Sequence, residues 1–126
     1  MVSKVRVAGL KVISIPGPSA LTAAVAISGF SAGTLHFHGF LPPKGPNRMA
    51  TIEEAAKMKG IQIFFEAPHR LKATVQDLLS TFGDDCKITV CKELTKLFAK
   101  SIESTLGKFF DLNFILFSNG LRFLIP

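Results

Sequence analysis

Hydrophobic residues between positions 68 and 82 recur with the spacing of an amphipathic helix. The apolar positions are i, i+4, i+7, i+8 and i+11, occupied by Leu71, Val75, Leu78, Leu79 and Phe82. Such a stripe indicates a helix with one buried face, and Gly83 is a typical residue for ending it. The pattern therefore predicts a helix over residues 68–82.

Shorter segments have the patterns of strands and of other helices. Apolar or alternating runs bounded by turn-forming residues predict strands, and they occupy residues 10–15, 35–40, 61–65 and 87–92. Three further helices are predicted. Residues 2–8 have the pattern of the last part of a helix, and the alanine-rich stretch 18–29 and residues 48–59 each have the pattern of a whole helix. The last part is weaker, with a strand or helix over 102–110 and apolar runs at 114–117 and 121–126.

Strands that alternate with helices are typical of α/β proteins. We therefore predict an α/β domain with a mixed sheet of about five strands and flanking helices. The sharpest junction is at residues 10–20, where a β-rich run stops at Pro16-Gly17 and a helix follows at once. Such a turn leaves free N–H groups at the end of a strand, where ligands bind in many α/β sheets, or it is a tight turn with no ligand.

Composition narrows the class of protein. The chain has 126 residues, of which 48 % are hydrophobic, and it contains neither an apolar run of membrane length nor a secretory signal, so we expect a cytoplasmic protein that does not enter a membrane. Cys86 and Cys91 lie in one predicted strand on opposite faces, which makes a disulfide between them improbable.

The charge is uneven along the chain. Lys and Arg total 15 against 9 Asp and Glu, a net charge of +6, and residues 1–52 carry five of the bases and no acid. This bias favours an anionic partner such as RNA, although solubility alone explains many such biases.

Polar clusters follow the predicted strands. Glu66, His69 and Arg70 come after residues 61–65, and Glu93, Thr95 and Lys96 come after residues 87–92. If these strands are neighbours with the same direction, the clusters meet at one edge of the sheet. There they could bind a phosphate backbone, activate a hydroxyl group, or simply cap helices and pair with each other.

Other motifs limit the chemistry. The proline-rich loop 39–48 is either a basic substrate flap or a rigid connection. His36 and His38 share one strand face, but no third ligand is spaced to complete a metal site, and we predict none. Nucleotide-binding glycine loops, zinc cysteine patterns and the serine-hydrolase elbow do not occur in the sequence.

Four motifs in order carry a resemblance to a known family. They are Pro-Gly-Pro-Ser-Ala at 16–20, Gly-Phe-Leu-Pro at 39–42 with Lys44 and Arg48, Phe-Glu-Ala-Pro-His-Arg at 65–70 and Lys-Glu-Leu-Thr-Lys at 92–96. In this respect the chain resembles the ribosomal RNA small subunit methyltransferase I group of the tetrapyrrole methylase superfamily.

The resemblance implies an S-adenosylmethionine-dependent enzyme that methylates a cytidine 2′-hydroxyl in small-subunit ribosomal RNA. It implies two α/β domains with the cofactor in the cleft between them, a homodimer, and rRNA or the ribosomal subunit as partner. The resemblance also implies residue roles. Lys96 and Glu66 are implied in catalysis, and the cofactor pocket wall is formed by Pro16, Phe65, Leu94 and Thr95, with Glu66 beside them. The residues implied in RNA contacts are Lys44, Arg48, His69 and Arg70.

The departures from the family concern the ends of the chain. The family's Pro-Thr-Pro-Ile-Gly-Asn start and Asp-Ala-Gly-Thr-Pro loop are not in this sequence. We therefore interpret residues 1–16 as the last helix and strand of the family's amino-terminal domain, and residues 17–126 as the second domain with an atypical tail after about residue 111. We expect a fragment or truncated form that is inactive alone, or a non-catalytic module for dimerisation or RNA interaction.

Overall fold

The centre of the fold is a sheet whose strands run in mixed directions. A computed structural model describes residues 1–31, 33–92, 94, 100–112 and 121–125. The strands are β1 (Leu35–Phe40), β2 (Ile61–Glu66), β3 (Lys87–Lys92), β4 (Lys100–Thr105) and β5 (Leu121–Ile125). The helices are α1 (Val2–Val7), α2 (Ala20–Ile27), α3 (Pro46–Lys57), α4 (Leu71–Phe82) and α5 (Leu106–Leu112).

The strand order is β1-β2-β5-β3-β4. β1 is parallel to β2, and β3 is antiparallel to β4; these two pairs are joined by β5, which runs antiparallel to β2 and β3. It follows that β1, β2 and β3 share one direction. The predictions of an α/β class, mixed strand directions and flanking helices are confirmed.

Alternation along β2 assigns its residues to two different cores. Ile61 and Ile63 pack with Ala24 of α2 on one face of the sheet. Phe64 lies on the other face, in a larger core with residues of α3, α4 and α5. Because successive side chains of a strand point to opposite faces, β2 is covered by helices on both sides.

The helix predictions agree closely with the structure. The stripe 71–82 forms α4, preceded by a short 3-10 turn at Pro68–Arg70. α3 begins at Pro46, two residues earlier than predicted, because proline suits the first turn of a helix. The weak segment 102–110 divides between β4 and α5, and the run 114–117 lies outside the described residues. Within the described part of the chain, no helix is long and apolar enough to cross a membrane.

The strand predicted at residues 10–15 is wrong. These residues have no regular secondary structure, and Leu10, Ile13 and Ile15 are 63 %, 70 % and 84 % exposed. A strand needs a neighbour for its N–H and C=O groups. None of the described strands pairs with this segment, so its local β propensity is not realised.

The two cysteines differ in their position relative to β3. Cys86 precedes β3 and only Cys91 lies in it, so the prediction of one shared strand is wrong, although neither cysteine forms a disulfide. Burial raises the pKa of the Cys86 thiol.

The two histidines of β1 form hydrogen bonds within the protein. His36 Nε2 is hydrogen bonded to the Lys59 carbonyl at 3.0 Å and His38 Nε2 to Gln62 Oε1 at 2.8 Å. Both rings therefore have structural partners.

Replacement of Gly60 by alanine should destabilise the start of β2. A Cβ atom there would lie 2.5 Å from the carbonyl oxygen of Thr34, and the residue has a φ of +120°. Gly83→Ala is the matched control, because Gly83 has a φ of +87° but open space around a Cβ atom. We expect Gly60→Ala to lose about 2 kcal/mol more free energy of unfolding than Gly83→Ala in urea titrations. Equal losses would contradict the steric argument.

Candidate active site at the carboxyl edge of the sheet

The carboxyl ends of β1, β2 and β3 lie at the same edge of the sheet because these strands share a direction. Lys44 follows β1, and His69 and Arg70 follow β2, so the three residues lie at this edge; we call them the rim. The predicted convergence concerned the polar clusters after residues 61–65 and 87–92, taken as neighbouring strands. β2 and β3 share a direction, but β5 lies between them, and Glu93, Thr95 and Lys96 lie outside the described residues.

A buried carboxylate organises the residues beneath the rim. Glu66 ends β2, and its side chain is fully buried. Its Oε1 atom accepts hydrogen bonds from the Ala67 amide at 2.8 Å and pairs with Arg70 at 2.7 Å. Its Oε2 atom accepts from the Thr74 hydroxyl at 2.7 Å. Both carboxylate oxygens are therefore engaged.

Arg48 of α3 completes this network. Its Nε donates to Asp77 at 2.7 Å, its Nη1 donates to the Pro42 carbonyl at 3.1 Å and its Nη2 donates to the Thr74 hydroxyl at 2.6 Å. Nη1 also lies 3.6 Å from Glu66 Oε2. Two arginines and two acids balance each other in charge, which is how buried ionic groups are normally tolerated.

This geometry bears on two of the roles that the resemblance implies. Arg48 is only 6 % exposed, and all three of its guanidinium nitrogens are bound within the protein, so its guanidinium group does not face solvent as an RNA contact in this structure. Glu66 is 1 % exposed and held by two arginines and a threonine, so it stabilises the contacts between β2 and its neighbours, and its implied roles in catalysis and in the pocket wall stay predictions. Both residues were interpreted from their motif alone, which carries no information on burial.

The rim residues themselves remain accessible. Lys44 and His69 are exposed, and the Arg70 side chain is 23 % exposed. Arg70 Nε is buried and has no hydrogen-bond partner among the described residues, so the exposed part of the side chain is what a ligand can reach. The rim therefore keeps exposed cationic groups, which Arg48 does not offer.

The predicted cofactor residues are divided between locations. Phe65 and Leu94 both pack against the α2-side core. Phe65 lies on the opposite face of β2 from Glu66. Its ring is in edge-on contact with the rings of Phe37 and Phe40, with ring centroids 4.9 Å and 5.7 Å apart. Pro16 lies in the exposed segment 10–19, outside this cluster. Thr95 and Lys96 lie outside the described residues.

Sequence reasoning missed Thr74 and Asp77, which hold Arg48 in place. Thr74 is fully buried on α4 between Leu71 and Val75. The signal was available, because a hydroxyl residue within an apolar helical stripe needs a hydrogen-bond partner in the core. Asp77 carried no such signal, since acids on partly exposed helix faces are common.

Residues 1–109 match the family described as Tetrapyrrole (Corrin/Porphyrin) Methylases. The chain belongs to the tetrapyrrole methylase family. This membership agrees with the resemblance seen in the ordered motifs at 16–20, 39–42, 65–70 and 92–96.

Curated relatives of this tetrapyrrole methylase chain are named Ribosomal RNA small subunit methyltransferase I. The protein from Vibrio cholerae is 39 % identical over 98 residues, which is 78 % of this chain and 34 % of the relative. The protein from Thermotoga maritima is 44 % identical over 89 residues, 71 % of this chain and 39 % of the relative. The chain thus spans just over a third of the length of the relatives it matches.

Solved structures support the fold. The methyltransferase CobJ superimposes with a TM-score of 0.68 at 16 % identity, over 98 % of this chain and 54 % of CobJ. Uroporphyrin-III C-methyltransferase from Thermus thermophilus, solved with S-adenosyl homocysteine, gives a TM-score of 0.64 at 12 % identity, over 98 % of this chain and 56 % of that one. The tetrapyrrole methylase chain therefore has the fold of about half of these enzymes.

Glu66→Gln should strongly destabilise the domain. Without the negative charge, Arg48 loses a partner inside the protein, and removing one member of a buried ion pair typically costs about 3–5 kcal/mol. Glu54→Gln is the control, because Glu54 is an exposed acid on α3 outside the network and should contribute less than about 1 kcal/mol. Urea unfolding followed by circular dichroism measures both. A Glu66→Gln variant as stable as the parent would contradict the structural role of Glu66.

Proposed function

We propose that this chain is the second domain of an S-adenosylmethionine-dependent ribosomal RNA cytidine 2′-O-methyltransferase. The observation that carries the proposal is the 39–44 % identity to relatives named Ribosomal RNA small subunit methyltransferase I. Residues 1–16 then correspond to the end of the preceding domain, and the family's cofactor cleft lies between the two domains.

The described residues suit one wall of a cofactor site. Phe65 and Leu94 are partly exposed apolar side chains in one cluster, and such surfaces line small-molecule clefts. In our proposal they form that wall, and Pro16 and Thr95 are assigned to it from the resemblance of their motifs alone. The cofactor, when bound, supplies an electrophilic methyl group on sulfur.

The rim provides the RNA side of the proposed site. Lys44 and Arg70 attract phosphate groups, and His69 offers a further polar contact at the same edge. Arg48 and Glu66 do not contact RNA in this proposal. They position the rim residues, because they fix α3 and the turn that carries Arg70. Lys96, in the motif at 92–96, is proposed to help a bound ribose hydroxyl lose its proton.

The chain of 126 residues should not bind S-adenosylmethionine tightly by itself. Ligands in interdomain clefts need most of their surface enclosed to offset the lost translational and rotational freedom. Isothermal titration should show no binding at a cofactor concentration of about 100 μM, whereas the full-length Thermotoga maritima relative serves as the positive control. Micromolar binding to the chain would contradict the proposed division of the site. Salt-sensitive RNA binding by the same sample would support the rim assignment.

A second candidate function is a non-catalytic module that associates with a second copy of the chain. The observation that favours it is a strip of apolar side chains on the edge strand β1, where Leu35, Phe37 and Phe40 are 48 %, 53 % and 61 % exposed. Residues 35–40 carry no lysine, glutamate or proline, which protect many edge strands from pairing, although the register of β1 shifts between Phe37 and Gly39. An uncharged apolar edge favours association.

Light scattering coupled to chromatography tests the second candidate. If β1 forms a dimer contact, the chain elutes at twice its monomer mass and Phe37→Lys restores the monomer, because a buried charge in the contact is unpaired. Met58→Lys is the control, since Met58 is 37 % exposed and lies outside the strip. A monomeric parent chain at high concentration would exclude association through β1.

A further inference from the structure

An open cavity lies at the edge of the sheet opposite the rim. Its volume is about 440 Å³, and it is lined by the turn after α2, the start of β3 and the end of β4. Lys87 begins β3, whereas Lys92 ends that strand at the carboxyl edge. Five residue steps along a strand separate the two edges by roughly 17 Å. The cavity is therefore distinct from the site described above.

The charge of the cavity is positive. Lys87 and Lys108 line it together with one acid, Glu103, and all three residues are exposed. Within the described part of the chain, none of the three forms an ion pair with another side chain. The two ammonium groups are thus available to an anion, and lysine is a common ligand of phosphate.

The remaining lining is suited to the other parts of a nucleotide. Phe30 contributes a partly exposed aromatic ring, and Ser104 and Thr105 contribute residues with hydroxyl groups. Bases stack on aromatic side chains without sequence preference. The volume falls in the range of about 300–1,000 Å³ that is typical of small-molecule sites.

The wall that carries Phe30 is fixed by hydrogen bonds. Ser28 Oγ donates to the Val25 carbonyl at 2.9 Å and accepts from the Phe30 amide at 3.2 Å. The Thr89 hydroxyl donates to the Ser28 carbonyl at 3.3 Å, which ties the turn to β3. A preformed wall lowers the entropic cost of binding.

We propose that this cavity binds a nucleoside phosphate, with the phosphate attracted by Lys87 and Lys108 and the base stacked against Phe30. The same chemistry is offered by a free nucleotide and by a single nucleotide of an RNA chain. The inference rests on the cavity alone and is independent of the function proposed for the carboxyl edge.

Titration of the chain with adenosine 5′-monophosphate tests the proposal. The double variant Lys87→Ala/Lys108→Ala should weaken binding at least about tenfold, because two charge-assisted contacts to phosphate are lost. Glu103→Gln should strengthen binding about twofold, because a repulsive charge near the phosphate is removed. Lys57→Ala is the matched control, since Lys57 is an exposed lysine on α3 outside the cavity, and it should change affinity less than about twofold.

Titrations with adenosine, with inorganic phosphate and with a short RNA show which kind of molecule occupies the cavity. Adenosine and inorganic phosphate should each bind more weakly than the nucleotide, because each fills one part of the cavity. If the double variant also weakens binding of a short single-stranded RNA, the occupant is a nucleotide of RNA; if RNA binding is unchanged, the occupant is a free nucleotide. Failure of the parent chain to bind the nucleotide at about 1 mM, or equal binding by the double variant, would overturn the proposal.

Because the tests use different residues, the two proposals can fail separately. Loss of the nucleotide site would leave the cofactor titration and the role of the rim untouched. Conversely, tight cofactor binding by this chain alone would contradict the proposal that the cofactor site needs both domains. It would not change the expected loss of nucleotide binding in the Lys87→Ala/Lys108→Ala variant.

Discussion

The position of Glu66 at the end of β2 is the constraint on which the carboxyl edge depends. Its two oxygens link the strand to α3 through Arg48, to the following turn through Arg70 and to α4 through Thr74. Buried ion pairs add little net stability compared with apolar packing, but they are costly to break. The network therefore selects one arrangement of these elements, since any other leaves a charge buried without a partner.

This constraint explains how neighbouring motif residues come to have different roles. Phe65 and Glu66 are adjacent in sequence, yet the pleat of β2 places the ring against the α2 side and the carboxylate against α3 and α4. The motif at 65–70 thus supplies an apolar surface on one face and an anchor on the other. Arg70 joins the two functions, because it pairs with Glu66 while part of its side chain stays exposed at the rim.

Positive charge occurs at both ends of the strands. The rim has Lys44 and Arg70, and the opposite cavity has Lys87 and Lys108. The excess of bases in residues 1–52 accounts for Lys44, but Lys87 and Lys108 come from the part of the sequence in which acids and bases nearly balance. Local placement, and not net charge, therefore determines where an anion can bind.

The sequence by itself determined the helices, the α/β class and the family. The stripe at 71–82 predicts α4 because helical periodicity is a local property, and the ordered motifs identify the tetrapyrrole methylases. Only the tertiary structure decided that residues 10–15 form no strand, that Arg48 and Glu66 are buried, and that Thr74 and Asp77 hold them. Strand pairing, burial and ion-pair partners depend on contacts between distant parts of the chain, and a local pattern of residues does not specify those contacts.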